Sequence, residues 1–188
     1  MRFVASLVFL SLAACSTKDS ASSADTSMTA QAPADNGNGI PAPGSPVSLT
    51  AADVDGFVKG IKKEAALVRE GQERARRAVT AVERGNAIQS TFEENTMKNA
   101  VEASGLPVER YRLVRQTLAR ILTTLDFQGK IDGPQSVDTA HADADMKARL
   151  ASDPYSALDS GSAEIVKSKM TEIAPAWIEY ITLTAVNG

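Results

Sequence analysis

A chain of 188 residues, 43% hydrophobic and 23% charged, can form one domain with a core of ordinary size. Its net charge of −3 and its pI near 5.3 argue against a nucleic-acid-binding protein. Only 5% of the residues are aromatic and alanine is abundant, which favours closely packed helices over a core built on a sheet.

The chain begins with one positive charge, an apolar run, small residues and a cysteine. Because the apolar run is shorter than the roughly 20 residues that a membrane span requires, residues 1–14 are predicted to be a cleaved signal peptide. The end of this segment, Leu12-Ala13-Ala14-Cys15, resembles the lipobox of bacterial lipoproteins. The resemblance covers only the leader and the cysteine.

This resemblance implies that the Cys15 thiol receives a diacylglyceryl group and that the new amino terminus is acylated, so that labelled palmitate is incorporated. Several acyl chains give a stable membrane anchor, at about 0.8 kcal/mol per buried methylene. By analogy with enterobacterial lipoproteins, Ser16 implies the outer membrane, with the domain facing the periplasm. Cys15 is the only cysteine, so the fold must be held by packing rather than by an intramolecular disulfide.

The segment after the signal peptide, residues 15–48, is rich in Ser, Ala, Thr, Asp, Asn, Gly and Pro. Such a composition buries too little apolar surface to offset the entropy of ordering the chain. It is therefore predicted to be a lipidated cysteine followed by a disordered tether, and residues 49–188 are predicted to form the folded domain.

The first predicted helix begins at Thr50, which has Asp53 at the spacing of a capping box. Apolar residues then recur at steps of three and four as far as Gly85, which predicts one continuous helix of about 34 residues. Three glycines weaken it by about 1 kcal/mol each, unless a neighbouring helix uses the missing side chains to approach closely. The glycines are Gly56, Gly60 and Gly71, and the stripe is Val54, Phe57, Ile61, Ala65, Val68, Gln72, Ala75, Val79 and Val82.

A second helix is predicted over residues 86–104, where Gly105 suits the left-handed position that ends a helix. Pro107 can occupy the first turn of a third helix, and Gly129 ends it. These signals place two helices between the long first helix and the one sharp loop of the domain.

The last third of the sequence predicts an alanine-rich helix over residues 137–151, a short turn at Asp153-Pro154, and a final helix from about Ser162 with a kink at Pro175. No run alternates convincingly between apolar and polar residues. The predicted fold is therefore all-α, a mostly antiparallel bundle of roughly four to five helices. Aromatic residues on its stripes are expected in the core: Tyr111, Trp177 and Tyr180.

Charge is unevenly distributed along the domain. Residues 59–84 contain eight basic and four acidic residues, whereas residues 130–164 contain three basic and seven acidic ones. Such charge runs are usually solvated surfaces that partly neutralise each other. The alternative is that they produce an electrostatic field that attracts a partner.

The loop from Gly129 to Pro134 is the segment most suited to partner binding, because binding residues often lie on loops held by rigid elements. Lys130, Asp132 and Gly133 are the candidate contact residues. A simple connector between helices would need the same glycines and proline, so that interpretation stays open.

The single histidine is the starting point of the metal and enzyme hypotheses. On the predicted helix over residues 137–151, His141 would share one side with Asp138 and Asp145, but a zinc site normally needs three or four ligands and more than one His or Cys. No metal site, no cofactor and no catalytic residue is therefore predicted. A carboxylate-based hydrolase remains the enzymatic alternative. Its candidate residues would be Asp126, Asp132, Asp138 and Glu164.

Taken together, these features predict a membrane-anchored envelope lipoprotein with a non-enzymatic helical domain that binds an envelope or periplasmic protein, as an adaptor or as an inhibitor or immunity-type protein. The alternative is a lipoprotein that binds a small ligand or a metal, for example as a sensor.

Overall fold

The structure is a computed structural model that describes residues 45–134 and 141–185. The signal peptide, the lipobox with Cys15 and most of the predicted tether lie outside these residues. Seven α-helices form the described part, and no β-strand occurs in it, which confirms the all-α class. The helices are α1 Ala51–Arg77, α2 Ala81–Gln89, α3 Glu93–Ser104, α4 Val108–Phe127, α5 Ala144–Ala151, α6 Ser160–Ser168 and α7 Met170–Ala185.

Helix α1 begins with the predicted capping box. The Thr50 hydroxyl accepts a hydrogen bond from the Asp53 amide at 3.2 Å, and the Asp53 carboxylate accepts one from the Thr50 amide at 2.7 Å. Arg110 of α4 donates to both carboxylate oxygens of Asp53, at 2.9 and 2.7 Å. Burial opposes ionisation of Asp53, but the hydrogen bonds from Arg110 and Thr50 outweigh it and lower its pKa. The start of α1 is thus fixed to α4.

The prediction of one helix as far as Gly85 is wrong, because α1 ends at Arg77 and a separate α2 starts at Ala81. Thr80 caps α2: its hydroxyl accepts from the Glu83 amide, and the Glu83 carboxylate accepts from the Thr80 amide. A second capping box therefore interrupts the apolar stripe. Val79 and Val82, which fit the stripe, are 91% and 72% exposed.

Other predicted helices are also divided, so that the described part has seven helices rather than four to five. Residues 90–92 separate α2 from α3, and Lys169 separates α6 from α7. Gly105 and Gly129 both have a positive φ, 71° and 64°, at the ends of α3 and α4, where the sequence predicts helix ends. Helix α7 is continuous through Pro175.

Helix α1 lies at the centre of the fold and packs against α2, α3, α4, α6 and α7. Its glycines permit close approach, the condition under which they do not weaken the fold: a methyl group on Gly60 would overlap the Tyr111 phenol, and one on Gly71 would overlap the Thr91 side chain. The three aromatic residues predicted for the core are buried. They are Tyr111, Trp177 and Tyr180.

The first described residues are attached to the segment that precedes α6. The Val47 amide donates to the Ala157 carbonyl at 2.8 Å, and the Asp159 amide donates to the Val47 carbonyl at 3.3 Å. Two residues on, the Leu49 amide donates to the Ser162 hydroxyl at 2.7 Å. These bonds form a clasp between residues 47–49 and residues 157–162.

Candidate functional site

A groove runs along one face of α4, with a cavity of about 720 Å³. Helix α3 borders the groove on one side, and α5 and the following residue, Ser152, border it on the other. We call it the α4 groove. Its lining residues are Glu93, Met97, Arg112, Arg115, Gln116, Ala119, Arg120, Thr123, Thr124, Phe127, Arg149 and Ser152.

The α4 groove follows from the spacing of residues on α4. The lining positions from Arg112 to Phe127 recur at steps of three and four, so they occupy one face over about 23 Å. The other face of the helix is buried, as at Val114, Leu118 and Ile121. A second cavity of about 750 Å³ shares Glu93, Met97 and Arg112 with the first and extends the groove towards the start of α4.

The α4 groove is rich in positive charge although the chain has a net charge of −3. Four arginines and one carboxylate line the main cavity. Arg112 and Arg149 pair with Glu109 and Asp145 at 3.1 Å, in exposed contacts that add little stability. Within residues 45–134 and 141–185, Arg120 has no ion-pair partner. These side chains are therefore accessible to an anionic ligand.

Arg115 connects the α4 groove to a buried polar cluster on α1. Glu64 is completely buried, and its carboxylate accepts from Arg115 Nε at 2.9 Å and from Arg115 Nη2 at 2.8 Å. The Tyr111 hydroxyl donates to the same carboxylate at 2.9 Å. Arg115 Nη2 also donates to the Tyr180 hydroxyl at 3.0 Å, and its guanidinium lies over the Tyr180 ring, 5.5 Å from the centroid. Both oxygens of the buried Glu64 carboxylate thus accept hydrogen bonds.

The pKa shifts in this cluster keep the Arg115 guanidinium charged and the two phenols neutral. Burial, reinforced by the Glu64 charge, raises the pKa of Tyr180 to about 12 and that of Tyr111 further. Burial opposes the charge on Arg115, but its hydrogen bonds to Glu64 raise the pKa of the guanidinium overall. Arg115 therefore stays charged and fixed in the wall of the α4 groove.

Glu93 is the one carboxylate that lines the main cavity, and it is the first residue of α3. Its Oε2 lies 3.1 Å from Arg115 Nη2, and its side chain is 53% exposed. Arg115 therefore contacts one carboxylate in the core and one at the groove surface. A carboxylate entering the α4 groove would compete with Glu93 for Arg115.

The loop predicted to bind a partner lies within the described residues but does not line the α4 groove. Lys130 and Asp132 are exposed, whereas Ile131 packs against the core. The backbone at Gly133 lies so close to the buried Asp126 carboxylate that a Cβ atom there would overlap it. Close approach to Asp126 thus accounts for a glycine at this position.

The structure changes the interpretation of the metal candidates. Helix α5 begins only at Ala144, with Asp143 as its N-cap, so His141 precedes the helix and does not share a helical face with Asp145. The prediction of a helix from residue 137 is wrong for residues 141–143, and Asp138 lies outside the described residues. In the described ranges, no three His, Cys, Asp or Glu side chains are placed to hold a metal ion.

The chain matches no protein-family model, no curated protein and no solved structure. Among the helices that the structure describes, none has both the length and the apolar character needed to cross a membrane. The features that bear on function are therefore the geometry of the α4 groove and the residues of the amino-terminal motif.

Proposed function

We propose that this protein is a lipid-anchored bacterial envelope lipoprotein whose helical domain binds a partner protein in the α4 groove. The bound segment of the partner is an amphipathic helix with carboxylate side chains. The observation that carries this proposal is the concentration of arginines along the uncovered face of α4.

The chemistry of the lining supports an acidic helix as the bound segment. Arginine binds carboxylates with two parallel hydrogen bonds, and Arg112, Arg120 and Arg149 are exposed along the groove. Between them lie Ala119 and Phe127, which are partly buried and apolar. A groove about 23 Å long accommodates about four helical turns, and the contact resembles other cases of a helix bound in a groove.

The proposed location depends on the motif that ends at Cys15. Lipidation there would hold the domain at the outer membrane on its periplasmic side and raise its local concentration near envelope partners. Cells fed with labelled palmitate should label the wild-type protein and not Cys15→Ser. If neither protein is labelled and both associate equally with membranes, the proposed lipid anchor is refuted. The binding proposal is then tested on its own.

The binding proposal is tested with two fluorescent helical peptides of equal length and apolar content, one with glutamates on its polar face and one with lysines. Fluorescence anisotropy with the full chain carrying Cys15→Ser should show binding of the glutamate peptide only. Arg112→Glu/Arg120→Glu should lower this affinity at least tenfold, since two attractive contacts become repulsive. Added salt should weaken it.

A matched control separates the α4 groove from the loop that the sequence favours. Lys130→Ala/Asp132→Ala changes two exposed residues outside the groove and should leave peptide affinity unchanged. If this loop variant abolishes binding while the arginine variant does not, the loop is the binding surface. Equal affinity for the glutamate and lysine peptides would refute an acidic partner.

A small anionic ligand is a second candidate, because about 720 Å³ lies within the size range of small-molecule sites. The probe here is a long-chain dicarboxylate, measured by calorimetry. A small anionic ligand would be favoured over a protein partner by two results together. The wild type would bind this probe and Arg120→Glu would not, and neither peptide would bind.

A further inference from the structure

The connection between α1 and α2 exposes apolar side chains at one end of the fold. We call residues 74–84 the α1–α2 tip. Four large apolar side chains are exposed in the described part of the chain, and two of them, Val79 and Val82, lie in this short segment. Single exposed apolar residues are common on protein surfaces, but Val79 and Val82, 91% and 72% exposed, lie within four residues and form a local apolar patch.

The tip is held in a defined conformation. The Glu83 carboxylate accepts hydrogen bonds from the amides of Val79 and Thr80, at 3.1 and 3.0 Å. These bonds, together with the Thr80 cap, fix the backbone that presents Val79 and Val82. Their exposure therefore belongs to the folded connection and not to a fraying helix end.

The same segment is strongly basic. It contains four arginines and one glutamate, a net charge of +3 in a chain of net charge −3. Arg74 and Arg77 line a cavity of about 530 Å³ together with Val79, which places cationic and apolar groups on one surface. Neither Arg76 nor Arg84 forms an ion pair with any residue in the described ranges.

We propose that the α1–α2 tip binds the surface of an anionic lipid bilayer, with Val79 and Val82 inserted among the headgroups and the arginines on lipid phosphates. The apolar surface area of two valines is much smaller than the roughly 800 Å² that each partner buries in a stable protein interface. Shallow insertion of apolar side chains beside basic residues is, by contrast, sufficient for reversible membrane contact. This contact is separate from the α4 groove and requires no lipid on Cys15.

The test measures co-sedimentation of the full chain with vesicles. Cys15→Ser is the background of every sample, so that no acyl chain contributes and all samples share the same amino-terminal residues. Vesicles of phosphatidylcholine alone are compared with an equal mixture of phosphatidylcholine and phosphatidylglycerol. The parent chain should bind the anionic vesicles more strongly, and added salt should reduce the difference.

Two tip variants should lower binding to the anionic vesicles. Val79→Ser/Val82→Ser should lower the partition coefficient about tenfold through loss of apolar insertion. Arg76→Gln/Arg84→Gln should lower it about fivefold per arginine removed. All four side chains are exposed, so circular dichroism should show unchanged folding in both variants.

Matched controls change the same residue types elsewhere. Val108→Ser removes an exposed valine at the start of α4, and Lys59→Gln/Lys62→Gln removes two exposed cations from α1. Binding of these controls should equal that of the parent chain. Tip variants that bind like the controls would overturn the proposal. So would tip variants that lose affinity for the glutamate peptide and not for vesicles, because the tip would then belong to the protein interface.

Discussion

The Arg115 guanidinium donates two hydrogen bonds to the Glu64 carboxylate, one from Nε to Oε1 at 2.9 Å and one from Nη2 to Oε2 at 2.8 Å. The pair joins α4 to the central helix α1, and Glu64 has no exposed surface. Because Arg115 also lines the α4 groove, one side chain joins the two helices and forms part of the groove wall.

Removing the cation from this pair should destabilise the fold strongly. Arg115→Met leaves the buried Glu64 carboxylate without its charged partner, and we expect a loss of about 3 to 5 kcal/mol in the free energy of unfolding. Urea denaturation followed by circular dichroism measures it. The double variant Glu64→Leu/Arg115→Met should be more stable than Arg115→Met, since no buried charge is left unpaired. A single variant within about 1 kcal/mol of wild type would contradict the role assigned to the pair.

The ion pair between Asp53 and Arg110 should make stability depend on pH in the acid range. The pKa of Asp53 in the fold lies below 3.8, its unfolded value, so the unfolded state binds the proton more tightly. Its contribution is present above about pH 4 and is lost as the pH falls through the folded pKa. In Asp53→Asn, the melting temperature should fall less steeply between neutral pH and pH 3 than in wild type. Parallel curves for the two proteins would show that Asp53 does not contribute.

Glu93 should reduce the affinity of the α4 groove for acidic ligands. It lies 3.1 Å from Arg115 and competes for the same guanidinium. Glu93→Gln removes this competing charge, and we expect the affinity for the glutamate peptide to rise about threefold to tenfold. Glu102→Gln, on the exposed surface of the same helix, is the matched control and should change the affinity little. Equal gains in both variants would indicate only a general effect of net charge.

Two glycine-to-alanine changes should have opposite effects on stability. Gly60→Ala places a methyl group against the Tyr111 phenol, which holds Glu64, and should lower the free energy of unfolding by about 1 to 3 kcal/mol. Gly85→Ala in α2 meets no atom within 4 Å and should be neutral or stabilising, by up to about 1 kcal/mol. Thermal melts compare the two variants. A stabilised Gly60→Ala would show that the helices do not approach closely at this point.

Local signals in the sequence predicted much of the helical fold. The cap at Thr50, the glycine ends at Gly105 and Gly129, and the buried aromatic residues follow from short-range rules. The break after α1 was also readable, because Thr80 and Glu83 have the spacing of a capping box. It was missed because Val79 and Val82 continue the apolar period, and a period alone does not show whether a side chain is buried.

The α4 groove could be predicted only in part. Glu64 lies three residues after Ile61 and four before Val68, and Arg115 lies between Tyr111 and Leu118 at the same steps. A charge on each apolar stripe was therefore visible and indicated a buried polar contact. That these two charges meet depends on how α1 packs against α4, which no local pattern determines. The walls of the groove depend likewise on where α3 and α5 lie.

The clasp at residues 47–49 determines where mechanical load would enter this domain. Tension that arrives along the backbone from before residue 45 reaches the Val47 bonds to Ala157 and Asp159 first, and then the Leu49 bond to Ser162. The bridge between Val47 and Leu158 is parallel, and Leu49 and Leu158 are both buried in the core. A pull on this end would therefore act on the junction before α6 as well as on the first turn of α1, so these two segments would resist extraction together.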